Sequence, residues 1–414
     1  MVCRGEVRAA GSIAGALVSG GVGMIRDLHL SIADRGFQAS GPVGKGAGQA
    51  HGTMARTVYD SVGGVLRLVT PIGAIVAAMT MPEDGTRLDS SRGGNIAVGA
   101  VNGLWGDRLH RVAEDFTVSM AVRVERRNVA LTAEAVAEAF PDATGRVAVF
   151  LHGLCETDDA WQPTRRKQLV HGSFRFGERL RDHGFTPVYI RYNSGLRIPD
   201  NGAQLSRLLE RLTDAWPTDI DEFALIGHSM GGLVARSACH DAFTDGCRWV
   251  QRVRRVFCLG SPHLGVPLAR SVDKAAGALR AVPEARGLAT LLDARSAGIA
   301  DLRFGTLVAD DPEEADGARR MKRTTSEVPF LPYVAYYNIA ATVTKNRRHP
   351  LGQLVGDLLV HYASASGHGR EQRIPFDIDK HHHVGGLTHF DLLSHPDVYA
   401  QLERWIVSAP APAS

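Results

Sequence analysis

The chain has little of what several functional classes require. Its 414 residues include five cysteines. Cys3, Cys155, Cys239, Cys247 and Cys258 form no C-x-x-C pair, which argues against zinc or dithiol redox work and for thiols kept in a reducing compartment. A formal charge of +3, with aromatics at 7% and no Lys/Arg run interleaved with them, is too weak a field for nucleic acid. No apolar run is long enough to cross a bilayer: the longest, residues 68–81, holds Pro71 and falls well short of the ~20 residues a spanning helix needs. It reads as a buried helix or one laid on a membrane surface, so peripheral membrane association through the N-terminal region is one expectation. Residues 9–25 are uncharged and follow Arg4 and Arg8, but the run is Gly/Ser-rich and Glu6 interrupts the basic start. The reading is therefore against a secretory leader and for a cytoplasmic or membrane-peripheral protein.

What is present describes an ordinary globular chain, with 44% hydrophobic and 22% charged residues, long enough for a main domain plus an appended region. Residues 1–110 read as a Gly/Ala-rich, partly helical extension, with a helical candidate at 55–81. Residues 111–408 read as the main domain, carrying an insertion at 265–329, and 409–414 as a disordered Pro/Ala tail. The period of two in Phe116, Val118, Met120, Val122 and Val124 marks a half-buried strand. From Arg146 a beat of apolar strand and amphipathic helix sets in. Strands are expected at 147–151, 187–192, 223–226, 256–259 and 333–340, and helices at 174–182, 203–215 and from Pro396 onward. In the second helix Leu205, Leu208, Leu209 and Leu212 share one face. The alternation predicts an α/β fold, a mostly parallel sheet covered by helices on both faces. The insertion, with helical pieces at 268–279 and 288–297, is a candidate cap over a cleft beyond the carboxyl ends of the strands.

The stretch Gly227-His228-Ser229-Met230-Gly231 stands between one of these strands and a helix. Strand, sharp turn and helix make the setting in which a serine is strained outward as a nucleophile, with glycines letting the two elements approach. A serine hydroxyl needs a base to take its proton and a third group to orient that base. In such a sheet the order along the chain is Ser, acid, His, so the partners lie downstream. His389 falls between the last strand and the last helix and is the candidate base, with His381, His382, His383 and His395 as competitors. His381 to His383 read as a solvated loop, with a metal cluster as the minor alternative. Asp357, in a glycine-flanked loop after the strand at 333–340, is the candidate acid, with Asp377 and Asp379 as fallbacks. Two backbone N–H groups must face a developing oxyanion. Met230, after the serine, and Leu154, in the glycine turn after the first strand, are the expected donors. Cys155 is disfavoured as a nucleophile because it would share the same base.

Four blocks now carry a resemblance: VFLHGLCETDDAW (149–161), LIGHSMGGLVAR (225–236), CLGSPHLGVPLAR (258–270), and GDLLVHYASASG (356–367) paired with GGLTHFDLLSHPDVY (385–399). From about Val147 onward the chain resembles the α/β-hydrolases of the esterase/lipase group, close to the lipases that resemble GPI-inositol deacylases. The resemblance implies Ser229, Asp357 and His389 as nucleophile, acid and base, and Leu154 and Met230 as oxyanion donors. It implies an acyl-enzyme route on an apolar, lipid-like or other small ester substrate, with no metal or organic cofactor. One departure is visible: many relatives carry a second Asp-Gly pair before the acid, whereas here Leu358 and Leu359 follow it. His263 in the third block is expected to anchor its loop. The resemblance does not extend to residues 1–110.

Overall fold

The computed structural model describes residues 88–112, 117–163, 175–265, 296–308, 328–347, 356–369 and 373–408, with the single positions 168, 172, 349 and 352. The helical candidates at 55–81 and 268–279, most of the cap candidate and the C-terminal tail lie outside them.

Eight strands are present among the described residues: β1 (Ala121–Val124), β2 (Arg127–Asn128), β3 (Arg146–Leu151), β4 (Phe185–Arg191), β5 (Glu222–His228), β6 (Val253–Leu259), β7 (Ala335–Thr342) and β8 (His381–Gly385). They form one sheet in the order β2-β1-β4-β3-β5-β6-β7-β8. β1 runs antiparallel to β2 and β4, and every other pairing is parallel. Leu151 at the end of β3 pairs with Gly227 of β5, which pairs with Cys258 of β6. Three strands thus release their loops at one level of the sheet edge, where side chains from distant parts of the sequence can meet.

Parallel strands are covered on both faces, and the burial is correspondingly continuous: all seven residues of β5 and all eight of β7 are buried. On one face Val147, Val149 and Leu151 join Leu205, Leu209, Leu212, Leu233 and Val234 from helices α4 (Ile198–Ala215) and α5 (Met230–Thr244). On the other face Ala148 and Phe150 join Phe176, Leu180, Val398, Leu402 and Trp405 from α3 (Phe176–Arg181) and the last helix α8 (Pro396–Val407). The helix α4 begins at Ile198, five residues before the expected start, because Pro199 is preorganised for a first turn. His395 caps α8 by accepting the Asp397 N–H at 3.2 Å.

The four remaining helices are α1 (Arg92–Val112), α2 (Ala133–Ala139), α6 (Ala297–Phe304) and the single turn α7 (Tyr362–Ala365). Helix α1, which the sequence division assigns to the extension, lies in the same compact unit as the sheet. It packs through Gly99 and Gly103: a Cβ on Gly99 would stand 2.6 Å from Thr157 Cγ2 and 2.7 Å from the Glu156 carbonyl, and one on Gly103 would run into Cys155. Buried charge completes the joint. Asp89 pairs with Arg191 at 2.5 Å, Arg123 with Asp158 at 3.6 Å, and Arg126 with Asp159 at 2.9 Å. The amide of Asn95, on α1, donates to both Asp158 and Asp159. Each cation has a carboxylate beside it, the condition under which buried charge is tolerated.

No helix among the described residues is long and apolar enough to cross a membrane.

Candidate active site

Ser229 connects β5 to α5 with φ 51° and ψ −120°, a left-handed conformation that costs a non-glycine residue about 1–3 kcal/mol and persists only where its surroundings hold it. Here its N–H donates to Leu259 at the end of β6 (2.8 Å). At Gly231 any side chain would collide with the Leu151 carbonyl, so α5 can start close beneath β3 only with glycine there. The Ser229 side chain remains partly exposed.

His389 follows β8 and opens a 3-10 turn, His389–Leu393, closed by a capping box between Thr388 and Asp391. Its Nδ1–H donates to Asp357 Oδ2 at 2.7 Å and its backbone N–H to the Asp357 carbonyl at 3.0 Å. Asp357 is fully buried, and its Oδ1 accepts the N–H groups of Leu359 (3.1 Å) and Val360 (2.8 Å). That tight turn uses left-handed backbone at Gly356 (φ 63°) and Leu358 (φ 89°). A side chain on Gly356 would run into the Val360 carbonyl. The leucines after the acid are therefore compatible with a fully satisfied carboxylate. Burial by itself would lower the His389 pKa, but the charge and hydrogen bond of Asp357, with Glu156 behind them, raise it above the ordinary histidine value. The His389 ring packs over Gly260, where a Cβ would stand 3.1 Å from its Cε1, one residue beyond the Leu259 carbonyl that holds Ser229.

The loop after β3 closes the site from the other side. A Cβ on Gly153 would come within 3.1 Å of Ser229 Cβ, so glycine permits the approach. His152 fixes the loop: its Nε2 accepts the Tyr192 N–H (3.2 Å), its Nδ1–H donates to the Gly153 carbonyl (2.9 Å), and its ring stacks on Tyr192 with centroids 4.2 Å apart. Burial lowers its pKa, consistent with a neutral ring. The Gly153 N–H goes to Glu156 and that of Cys155 to Ser194 Oγ. Between them no acceptor among the described residues takes the Leu154 N–H. Met230 is the first residue of α5, where a helix leaves its N–H groups without intrahelical partners. Desolvation pushes the Cys155 thiol up to about 12, far from a thiolate nucleophile.

The remaining candidates stand elsewhere. Asp377 pairs with Lys380 at 2.6 Å, and the Asp379 carbonyl accepts from Trp405 (3.2 Å). His381, His382 and His383 are not a solvated loop. They form the half-buried start of β8, paired with Asn338, Ile339 and Ala340 of β7, with His383 Nε2 at 2.8 Å from Thr342 Oγ1. Among the described residues no group of three His, Cys, Asp or Glu side chains is placed to hold a metal ion. His263 is wholly buried beside Arg236 (3.4 Å) and Phe376, and desolvation holds its pKa well below the usual value.

Two residues escaped the sequence reading. The Glu156 carboxylate is 2.9 Å from His228 Nδ1, and His228 Nε2 is 3.1 Å from the His389 carbonyl. Both sat within quoted blocks, but nothing in spacing joins positions 72 residues apart. Beside them opens a cavity of about 280 Å³, with Ile96, Phe390 and Leu393 on its wall together with the polar Arg92, Glu156 and Asp159.

A family model described as a PGAP1-like alpha/beta domain matches residues 202–309, the stretch from α4 through β5, α5 and β6 to the end of α6. No curated protein sequence matches the chain. Among solved structures, the mature form of a Bacillus licheniformis lipase is 19% identical over 63% of this chain and 91% of its own, with a TM-score of 0.43. EstA from Clostridium botulinum is 12% identical over 66% of this chain and 89% of its own, with a TM-score of 0.39. An esterase from Pyrobaculum calidifontis is 13% identical over 63% and 75%, with a TM-score of 0.37.

Proposed function

The chain has the α/β-hydrolase fold, and from that premise we propose that it hydrolyses carboxylic esters through an acyl-enzyme on Ser229. His389 is the general base, and Asp357 fixes its tautomer and stabilises the imidazolium. As Ser229 Oγ attacks the ester carbonyl, its proton passes to His389 Nε2 and the carbonyl π pair moves onto oxygen, facing the N–H groups of Leu154 and Met230. Collapse re-forms the carbonyl and breaks the bond to the alcohol, which leaves with the proton from His389. Water then repeats the two steps and releases the carboxylic acid and free Ser229. Every proton and electron pair is carried by side chain, backbone or water, so the route draws on no metal or organic cofactor.

The observation that carries this reading is the buried Asp357–His389 hydrogen bond of 2.7 Å on loops that meet a serine held at φ 51°. The neighbouring cavity sets apolar Ile96, Pro163, Phe390 and Leu393 beside charged Arg92 and Asp159, a mixed wall that suits a substrate with an apolar chain and a polar head. Turnover of p-nitrophenyl esters from acetyl to palmitoyl tests the proposal. The wild type is expected to be active with a chain-length optimum, and Ser229→Ala to lose at least about 10³-fold in kcat. A folded wild type that turns over none of these esters would remove it.

A further inference from the structure

The Glu156–His228 pair has no part in the route above, yet it touches both loops that the route depends on. Glu156 Oε2 accepts the Gly153 N–H at 2.6 Å and faces His228 Nδ1 at 2.9 Å. On its far side His228 Nε2 faces the carbonyl oxygen of His389 at 3.1 Å. The His228 and His389 rings lie 4.6 Å apart, and His228 is fully buried, with Trp161 and Phe390 around it. A carbonyl oxygen can only accept, so Nε2 must carry a proton. A carboxylate that already accepts Gly153 also needs a donor from Nδ1. The three contacts need an acceptor for the Gly153 N–H, a shared proton between Glu156 and Nδ1, and a proton on Nε2. Burial pushes the Glu156 carboxyl up, but His228 and the Gly153 N–H leave it below the ordinary value.

We propose that Glu156 is a positioning residue: with His228 it forms a hydrogen-bonded strap that ties the oxyanion loop, the end of β5 and the backbone of His389 into one unit around Ser229. The inference rests on the hydrolase reading for its kinetic consequence and on geometry alone for its structural one. A glutamine at 156 keeps the shape but not the charge. Both Glu156 contacts fall on one oxygen, so an amide oxygen there leaves a singly protonated ring short of either its Nδ1 or its Nε2 contact, and an amide nitrogen there loses the Gly153 N–H. Leu154 sits next to Gly153, so releasing one arm of the strap displaces an oxyanion donor. Losing such a donor costs about 10²–10³-fold in kcat.

The test compares the full-length wild type with Glu156→Gln and Glu156→Asp, the latter keeping the charge on a shorter reach. Amide hydrogen exchange is followed at residues 152–158 and 386–392. Turnover of a p-nitrophenyl ester is normalised to sites titrated with a fluorophosphonate. The strap predicts faster exchange in both segments of Glu156→Gln and a kcat per titrated site lower by about 10²-fold with KM little changed, with Glu156→Asp between it and wild type. A residue that only stabilises the fold would lower the titrated fraction and leave kcat per site unchanged. The proposal is overturned if either segment exchanges as in wild type, or if kcat per titrated site stays within about twofold. Should Glu156→Gln fail to fold, the same two readouts on Glu156→Asp decide. A wild type that neither labels nor turns over ester would sink the hydrolase reading, while the exchange data still decide the strap.

Discussion

At Asp357 the local hydrogen bonding is complete: two backbone N–H groups on one oxygen and His389 on the other. Replacing the acid by asparagine keeps this size but presents a donor or a weaker acceptor to His389 Nδ1 and favours the wrong tautomer. Asp357→Asn is expected to lower kcat by about 10⁴-fold, as measured on ester hydrolysis. Since the Asp357 charge raises the His389 pKa, and the base works only when neutral, wild-type kcat/KM should rise with pH through a midpoint above the ordinary 6.5. In Asp357→Asn that midpoint should fall, a shift that a pH profile of the residual activity reads directly. These residues were legible because each has a fixed place in the order of a strand-and-helix sheet. Glu156 and His228 were not, since a buried pair bridging two loops leaves no periodic trace in either.

Among the elements, the strands and the amphipathic helices α4 and α8 announced themselves by period, with boundaries moved by a few residues. Helix α1 did not declare its place, because it packs with glycine and asparagine instead of an apolar stripe, and a search for period 3.6 cannot see a face defined by small side chains. That face predicts a sensitivity of its own. A valine at Gly103 would run into the backbone and Sγ of Cys155. Gly103→Val should therefore cost about 1–3 kcal/mol in urea unfolding and lower kcat more than it raises KM, because Cys155 adjoins Leu154. His381 to His383 were misplaced for a related reason. Three like polar residues in a row carry no alternation, yet β7 supplies the ladder and Thr342 a partner, so context makes the strand.

For the molecule as a whole, the buried aspartates and arginines around α1 matter more than their count. Removing one member of a buried charge pair leaves its partner desolvated, at a cost of about 3–5 kcal/mol. Asp158→Ala, which leaves Arg123 with Asp89 and Asn95 with Asp159, should lower the unfolding free energy by less, about 1–3 kcal/mol in urea titration. A chain begun at residue 117 would leave Arg123, Arg191, Asp158 and Asp159 without Asp89 and Asn95. It is expected to show no cooperative melting transition by circular dichroism where the full chain shows one.

The order of the strands has a further consequence for how the protein comes into being. β8 and the turn carrying His389 lie at one edge of the sheet and follow the other seven strands in chain order. A nascent chain holds the strands β1 through β6 and the Ser229 turn while the proposed base, His389, is still being synthesised. On the proposed route, Ser229 would therefore spend part of its synthesis without a base, and reactivity would begin only once β8 joins the sheet edge.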